Sequence, residues 1–126
     1  LLAKGRRIRA RLLARHAELR WLAQSLADLP RVGTLVDAAT VGEGCGLARV
    51  ETARGTLLHW IELAGDRVGR YLIVAPTEWN FHPQGAFVRE ITGCPVATHG
   101  DALLAAGRLA LSLDPCVPYA WSVDDA

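Results

Sequence analysis

The stretch that decides the fold is LARVETARGTLLHWIELAGDRVGRYLIVAP, residues 47–76. It contains three apolar runs rich in β-branched and aromatic residues, and such runs bounded by turn-forming residues are typical of strands. The runs are LARVETA (47–53), GTLLHWIELA (55–64) and RVGRYLIVAP (67–76). Arg54-Gly55 separates the first two runs, and Gly65-Asp66 marks a hairpin turn between the second and third. The pattern predicts a small antiparallel sheet of about three strands.

Helical segments flank the predicted strands. Residues 6–29 repeat apolar side chains at steps of three, four or seven, which places them on one face of a long N-terminal helix. This leucine stripe consists of Ile8, Leu12, Leu19, Leu22, Leu26 and Leu29. Pro30 should end the helix, and the glycine-rich, weakly periodic residues 31–46 predict mostly loop. Residues 101–113 predict a second helix near the C-terminus, capped by Asp101.

The order helix, strands, helix indicates an α+β fold, and 126 residues suit a single domain spanning 1–126. Residues 77–85 are predicted to form a proline-bounded loop with Trp79 and Phe81 in the core, and residues 86–93 a short helix or turn. The chain contains no methionine. This favours its interpretation as the C-terminal fragment of a longer protein.

Composition narrows the function classes. Three widely spaced cysteines form a poor disulfide framework and favour free thiols in a reducing cytoplasm. No run of about 20 apolar residues is present, so no membrane span is expected. Eight basic and two acidic residues lie in residues 1–31, whereas the remainder is acidic. The basic first turns of the N-terminal helix contain no interleaved aromatics, which favours a solvated or protein-docking face over nucleic-acid binding.

Three positions carry candidate chemistry. Cys116, framed by prolines in DPCVPYAWS (114–122), is either a metal ligand or nucleophile or a buried small hydrophobe. Arg54 either pairs with Glu51 or another acid or directs its donors at an anionic ligand. Thr77 follows a strand end, where ligand sites often lie, but the same pattern also suits a turn bonded to its own backbone.

Five segments in order resemble the C-terminal part of the large subunit of nickel–iron hydrogenases. In that family they look like an E-x-x-R-G hairpin, a V-x-P-T-x-W-N loop, a G-T-P-V turn and a terminal D-P-C-x-x-C-x-x-H. The segments are ETARG (51–55), LLHWIEL (57–63), YLIVAPTEWNFHPQG (71–85), ITGCPVA (91–97) and SLDPCVPYAWS (112–122). Each is weak alone, whereas five in the right order are specific.

The resemblance implies a degenerate metal site. Cys116 falls on the first cysteine of the terminal motif, which ligates nickel in the family. Tyr119 falls where the bridging cysteine should be, and Ser122 where the histidine should be. A tyrosine with an ordinary pKa near ~10 is a poor substitute for a soft bridging thiolate. A stable bimetallic centre, and hence catalysis, is therefore not expected.

The resemblance implies that the residues around the iron are retained in this sequence. Arg54 matches the arginine that donates to an iron-bound cyanide, and Pro76 and Thr77 match positions around the other cyanide. This combination is similar to the maturation proteins of the family, thought to hold the Fe(CN)2CO unit before transfer. The implied partners are a HypC-type chaperone, the cyanide- and CO-delivery proteins and the hydrogenase large-subunit precursor. A variant hydrogen-oxidising large subunit and a metal-free interaction module remain alternatives.

Overall fold

The computed structural model describes residues 4–26 and 35–124, with the side chains of the first helix described from residue 6. The described part of the chain is α+β, as predicted, and consists of a helix, a sheet and three further helices. In chain order the elements are α1 (Lys4–Ser25), β1 (Val36–Gly42), β2 (Cys45–Thr52), β3 (Gly55–Ala64), β4 (Arg67–Val74), α2 (Pro76–Phe81), α3 (Ala86–Ile91) and α4 (His99–Leu113).

The sheet is an antiparallel meander in the order β1-β2-β3-β4. The three predicted strands are confirmed, and β3 has the predicted bounds. The count of about three strands was one too low, because β1 lies in the segment predicted to be loop. Its register runs from Val36 opposite Val50 to Thr40 opposite Gly46. Asp37, Ala38 and Ala39 in the middle of β1 have low strand propensity, so pairing with β2 accounts for this strand.

The segment predicted as an aromatic loop contains the short helix α2 instead. Pro76 occupies its first turn, where a fixed φ and a missing N–H are compatible with helix. The carboxylate of Glu78 accepts a hydrogen bond from the Ala75 N–H and completes the helix start. Placing Trp79 in the core was wrong, since it is 50% exposed. Phe81 is half-buried and stacks on Phe87 at a centroid distance of 5.1 Å.

The predicted C-terminal helix is present as α4, but its cap differs from the prediction. Thr98 is the N-cap, and its hydroxyl accepts a hydrogen bond from the Asp101 N–H at 3.1 Å. The Asp101 carboxylate in turn accepts from the Thr98 N–H at 3.1 Å. Asp101 therefore serves as the third residue of a capping box rather than as the cap itself.

Helix α1 packs through arginines and Ile8 rather than through its leucines. Ile8 is half-buried and lines a cavity with Ile91 and Leu109. The described leucines of the stripe are 44%, 65%, 37% and 67% exposed, for Leu12, Leu19, Leu22 and Leu26. Arg11 and Arg15 instead reach Ser112 at the end of α4. The helix begins at Lys4, two residues before the predicted start, and is described to Ser25, whereas the predicted end at Leu29 and Pro30 lies outside the described residues.

The end of α4 supplies the buried centre of the described residues. Leu109, Ala110 and Leu113 are its buried apolar side chains. Beside them lie buried Ser112 and Glu90, and Glu90 is bound in a bidentate manner by Arg11. Among the described helices, none combines the length and hydropathy that crossing a bilayer would require.

Candidate metal-holding site

Three separate segments converge at one end of β3. They are the β2–β3 turn with Arg54, the start of α2 with Pro76 and Thr77, and the tail that follows α4 and carries Cys116. Asn80 of α2 donates to the Arg54 carbonyl at 3.4 Å, which ties the first segment to the second. The structure thus brings together all four residues that the sequence singled out.

The β2–β3 turn is tight because of its glycine. Gly55 adopts φ 128°, a backbone conformation that other residues rarely reach. A Cβ added there would lie 3.8 Å from the Cβ of Pro76, so the turn sits directly against the start of α2. The Thr52 hydroxyl donates to the Gly55 carbonyl at 2.7 Å and accepts from the Arg54 N–H at 3.3 Å. These bonds fix where the Arg54 side chain begins.

Arg54 forms an ion pair, as one of its two predicted alternatives required, but its partner is Asp114 rather than Glu51. Its Nε donates to the Asp114 carbonyl oxygen at 2.8 Å and lies 3.1 Å from the carboxylate Oδ2. Glu51 instead lies 3.6 Å from the Arg49 guanidinium. Among the described residues, no acceptor engages the four terminal N–H groups of Arg54. The side chain is 42% exposed, so these donors remain accessible.

Cys116 lies beside Thr77. The sulfur is 3.7 Å from the Thr77 hydroxyl oxygen, within the longer range of hydrogen bonds to sulfur. Cys116 is exposed, which excludes the buried-hydrophobe interpretation, whereas Cys45 and Cys94 are half-buried. The Cys94 thiol donates to the Glu90 carbonyl at 3.1 Å, a structural role away from the site.

The tail reaches this position because of two local features. Asp114 ends α4 in the left-handed conformation with φ 52°, and its N–H donates to the Ala110 carbonyl. The chain then turns back, and Trp121 stacks on Phe87 at 4.9 Å with an interplanar angle of 8°. The indole Nε1 is buried and has no hydrogen-bond partner among the described residues. Stacking, rather than hydrogen bonding, therefore anchors the tail at Trp121.

The donor set is sparse in classical metal ligands. Within residues 4–26 and 35–124, no group of three or more His, Cys, Asp or Glu side chains could hold a metal ion. The site offers one thiol at Cys116, one hydroxyl at Thr77 and the guanidinium of Arg54. Asp114 was not singled out from the sequence, although it stands in the quoted DPC segment. An acid two residues before the cysteine, on the same tail, was the available signal.

The nickel-dependent hydrogenase family model matches residues 4–121 of the chain. The chain belongs to the nickel-dependent hydrogenase family. This confirms the resemblance drawn from the five sequence segments, and the match includes Arg54, Pro76, Thr77 and Cys116. No solved structure matches the chain.

Similar curated members of the nickel-dependent hydrogenase family are expression/formation proteins. HupK of Rhizobium leguminosarum bv. viciae is 42% identical over 123 residues, covering 92% of this chain and 33% of that protein. HoxV of Cupriavidus necator is 42% identical over 86 residues, covering 65% of this chain and 22% of that protein. The chain thus spans about a third or less of these relatives.

A second kind of relative within the nickel-dependent hydrogenase family is a large chain. The Hydrogenase-2 large chain of Escherichia coli K12 is 33% identical over 91 residues, which cover 68% of this chain and 16% of that protein. The 42% figures for the expression/formation proteins exceed this identity and extend, for HupK, over nearly the whole chain.

Proposed function

We propose that this chain is part of a non-catalytic scaffold in nickel–iron hydrogenase maturation. The scaffold holds or assembles the Fe(CN)2CO unit before its transfer to the large subunit. The printed names of the relatives HupK and HoxV, hydrogenase expression/formation proteins, support the maturation role. Tyr119 and Ser122, in place of the family's second cysteine and histidine, favour a scaffold over a hydrogen-oxidising enzyme.

The observation that carries the proposal is the distance of 3.7 Å between the Cys116 sulfur and the Thr77 hydroxyl, beside the tethered Arg54. A thiolate is a soft ligand suited to iron. A metal-bound cyanide exposes an anionic nitrogen that accepts hydrogen bonds from fixed hydroxyl and guanidinium donors. The residues present therefore suit an iron that arrives with its diatomic ligands, whereas they do not suit a bare ion.

Incomplete ligation also fits a transfer function. One thiolate from this segment, with hydrogen bonds to the cyanides, binds the cargo less firmly than a complete thiolate shell would. A cargo held in this way can pass to a site with more ligands. The proposed donors and acceptors in this exchange are a HypC-type chaperone, the cyanide- and CO-delivery proteins and the large-subunit precursor, in the cytoplasm.

Infrared spectroscopy of the full-length protein, isolated without oxygen, tests the proposal. Bound CO and cyanide should give stretching bands. Cys116→Ala should abolish these bands, and Arg54→Leu should weaken and shift the cyanide bands. Cys94→Ala is the matched control, because its thiol lies outside the site, and it should leave the bands unchanged.

Two outcomes would reject the scaffold. Hydrogen-dependent dye reduction by the full-length protein would favour the variant large subunit. Protein without iron or infrared bands after anaerobic co-expression, with maturation unaffected by Cys116→Ser, would favour the metal-free interaction module.

A further inference from the structure

Arg54 also borders a second concave surface, between α1 and the β2–β3 turn. This cleft has a volume of about 670 Å³. One wall is formed by the α1 residues Arg15, Ala17 and Trp21, and the other by Arg54 and Asn80. The cleft is separate from the Cys116–Thr77 pair, since neither of those residues lines it.

Arg15 is the uncompensated charge of this cleft. Its Nη2 donates to the Ser112 carbonyl at 2.6 Å, and its other N–H groups have no partner among the described residues. The neighbouring arginines differ, because Arg11 is neutralised by Glu90 and Arg54 by Asp114. No carboxylate in the described part of the chain lies within 4.0 Å of the Arg15 guanidinium. A guanidinium with open donors beside a neutral carbonyl suits an incoming carboxylate.

The size and walls of the cleft indicate more than a single ion. A volume of 670 Å³ lies within the range of about 300–1,000 Å³ that is typical of ligand sites, which is large enough for a segment of a few residues. Ala17 and the half-exposed ring of Trp21 supply an apolar wall. The Asn80 side chain adds a polar group at the opposite wall. Three arginines line the cleft, and Arg11 and Arg54 are already paired with acids. The guanidinium of Arg15 beside this apolar wall therefore suits a short extended segment with an acidic side chain.

We propose that this cleft binds a short acidic peptide segment of a partner protein, with a carboxylate of the segment on Arg15. Hydrogen-bonding chemistry favours a peptide over nucleic acid. Glu18 lines the same cleft, and its carboxylate can accept hydrogen bonds from the N–H groups of a peptide, whereas a phosphate backbone has no donor to offer it. A single aromatic ring, Trp21, offers no successive stacking platform for bases. The inference does not depend on iron binding.

Fluorescence anisotropy of the full-length protein with a fluorescein-labelled Glu-Glu-Leu-Glu-Glu peptide tests the proposal at about 0.1 M salt. Saturable binding is expected, and the peptide with glutamine in place of glutamate should not bind. Arg15→Gln should weaken binding about tenfold, the effect of one lost charge-assisted hydrogen bond. Arg20→Gln is the matched control, because it removes the same charge from an exposed position of α1 outside the cleft, and it should change the Kd less than about twofold.

A second variant keeps the test valid if Arg15→Gln disturbs packing on Ser112. Ala17→Glu retains Arg15 but places a carboxylate in the cleft, so it should also weaken binding about tenfold. Cys116→Ala should leave peptide binding unchanged, which separates this proposal from the iron scaffold. Three results would overturn the proposal: no saturable binding up to about 1 mM peptide, equal weakening by Arg20→Gln, or equally tight binding of a single-stranded oligonucleotide.

Discussion

Asp114 holds the Arg54 side chain through two groups at once. The Arg54 Nε donates to the main-chain carbonyl of Asp114 at 2.8 Å and lies 3.1 Å from its carboxylate. The two residues are 60 positions apart, so this contact joins the β2–β3 turn to the tail. Because the carbonyl takes part, the link should partly survive a change of the Asp114 side chain.

The conformation of Asp114 leads to the first prediction. Its φ of 52° is unfavourable for most residues but free for glycine. Asp114→Gly should change the free energy of unfolding by less than about 1 kcal/mol, because relief of the backbone offsets the loss of a half-exposed ion pair. Asp114→Val should lower it by about 2 kcal/mol, since a β-branched residue is strained there. Urea unfolding measures both, and equal losses would contradict this account.

Glu90 supports the second prediction. It is 5% exposed, Arg11 binds both its oxygens, and Arg7 lies 3.7 Å away. Glu90→Gln should cost about 1–3 kcal/mol of unfolding free energy, because the buried carboxylate loses its charge-assisted hydrogen bonds while Arg11, which is 27% exposed, stays partly solvated. Glu62 is an exposed residue of β3, and Glu62→Gln is the control. Its free energy of unfolding should stay within about 0.5 kcal/mol of the wild type. Similar losses in both variants would show that Glu90 has no special role.

The same carboxyl predicts a pH dependence. Hydrogen bonding from Arg11 lowers the pKa of Glu90 from its ordinary value of 4.5, although burial opposes this shift. The pKa is lower in the folded than in the unfolded chain, so the stabilisation is complete above pH 4.5 and is lost as the pH falls through the folded pKa. Stability measured from pH 6 downward should fall less steeply in Glu90→Gln than in the wild type. Parallel profiles would contradict the shift.

Two glycines should respond to alanine in opposite directions. A Cβ at Gly85, the N-cap of α3, would lie 2.5 Å from the Trp79 carbonyl oxygen and 2.8 Å from the Asn80 carbonyl oxygen. Gly85→Ala should therefore cost at least ~2 kcal/mol. A Cβ at Gly107 meets nothing within 4 Å, and Gly107→Ala inside α4 should add about 0.5–1 kcal/mol. Thermal unfolding compares the two variants, and a stabilised Gly85→Ala would refute the close approach.

The tail anchor gives a further prediction. Trp121→Phe retains an aromatic ring next to Phe87 and removes the buried indole N–H that has no partner. Its unfolding free energy should remain within about 1 kcal/mol of the wild type, because an unsatisfied buried donor is itself costly. Trp121→Ala should lose on the order of 3 kcal/mol. Chemical denaturation distinguishes them, and equal losses would point to a partner for the indole nitrogen.

Thiol reactivity tests the exposure of Cys116. It is exposed, whereas Cys45 and Cys94 are half-buried. A maleimide added to the native protein should modify Cys116 first, as peptide mapping by mass spectrometry would show. Faster modification of either other cysteine would contradict the described tail. Thr77→Ala should leave the order of modification unchanged, because Cys116 is already exposed with Thr77 in place.

The sheet shows which strands the local sequence pattern can predict. The bounds of β3 follow from its apolar run and the turns around Gly55 and Gly65. The strand β1 could not be found in this way, since Ala38 and Ala39 have low strand propensity and their pairing partners Ala48 and Leu47 come from the next strand. Periodicity within one segment predicts that segment, whereas pairing depends on what another segment offers.

The site shows the same limit. Arg54, Thr77 and Cys116 stood out from their local residue patterns, and the family motifs added Pro76 and the expected roles. The proximity of these residues is a property of the fold. The partner of Arg54 was not predicted, because acids at several distances along the chain could have satisfied it. The leucine stripe of α1 correctly predicted a helix, but it did not predict that the arginine face would pack inward on Ser112.

The tail has a consequence for how a cargo would leave. Residues 114–124, the described part of the tail, lack regular secondary structure. The stack of Trp121 on Phe87 and the contact of Asp114 with Arg54 hold the tail in place. Local detachment of the tail would separate Cys116 from Thr77 while the sheet and helices stay intact. Opening of that kind needs far less free energy than global unfolding. Release of the iron unit would then depend on a local opening of the tail. A docking protein could shift this equilibrium without unfolding the rest of the chain.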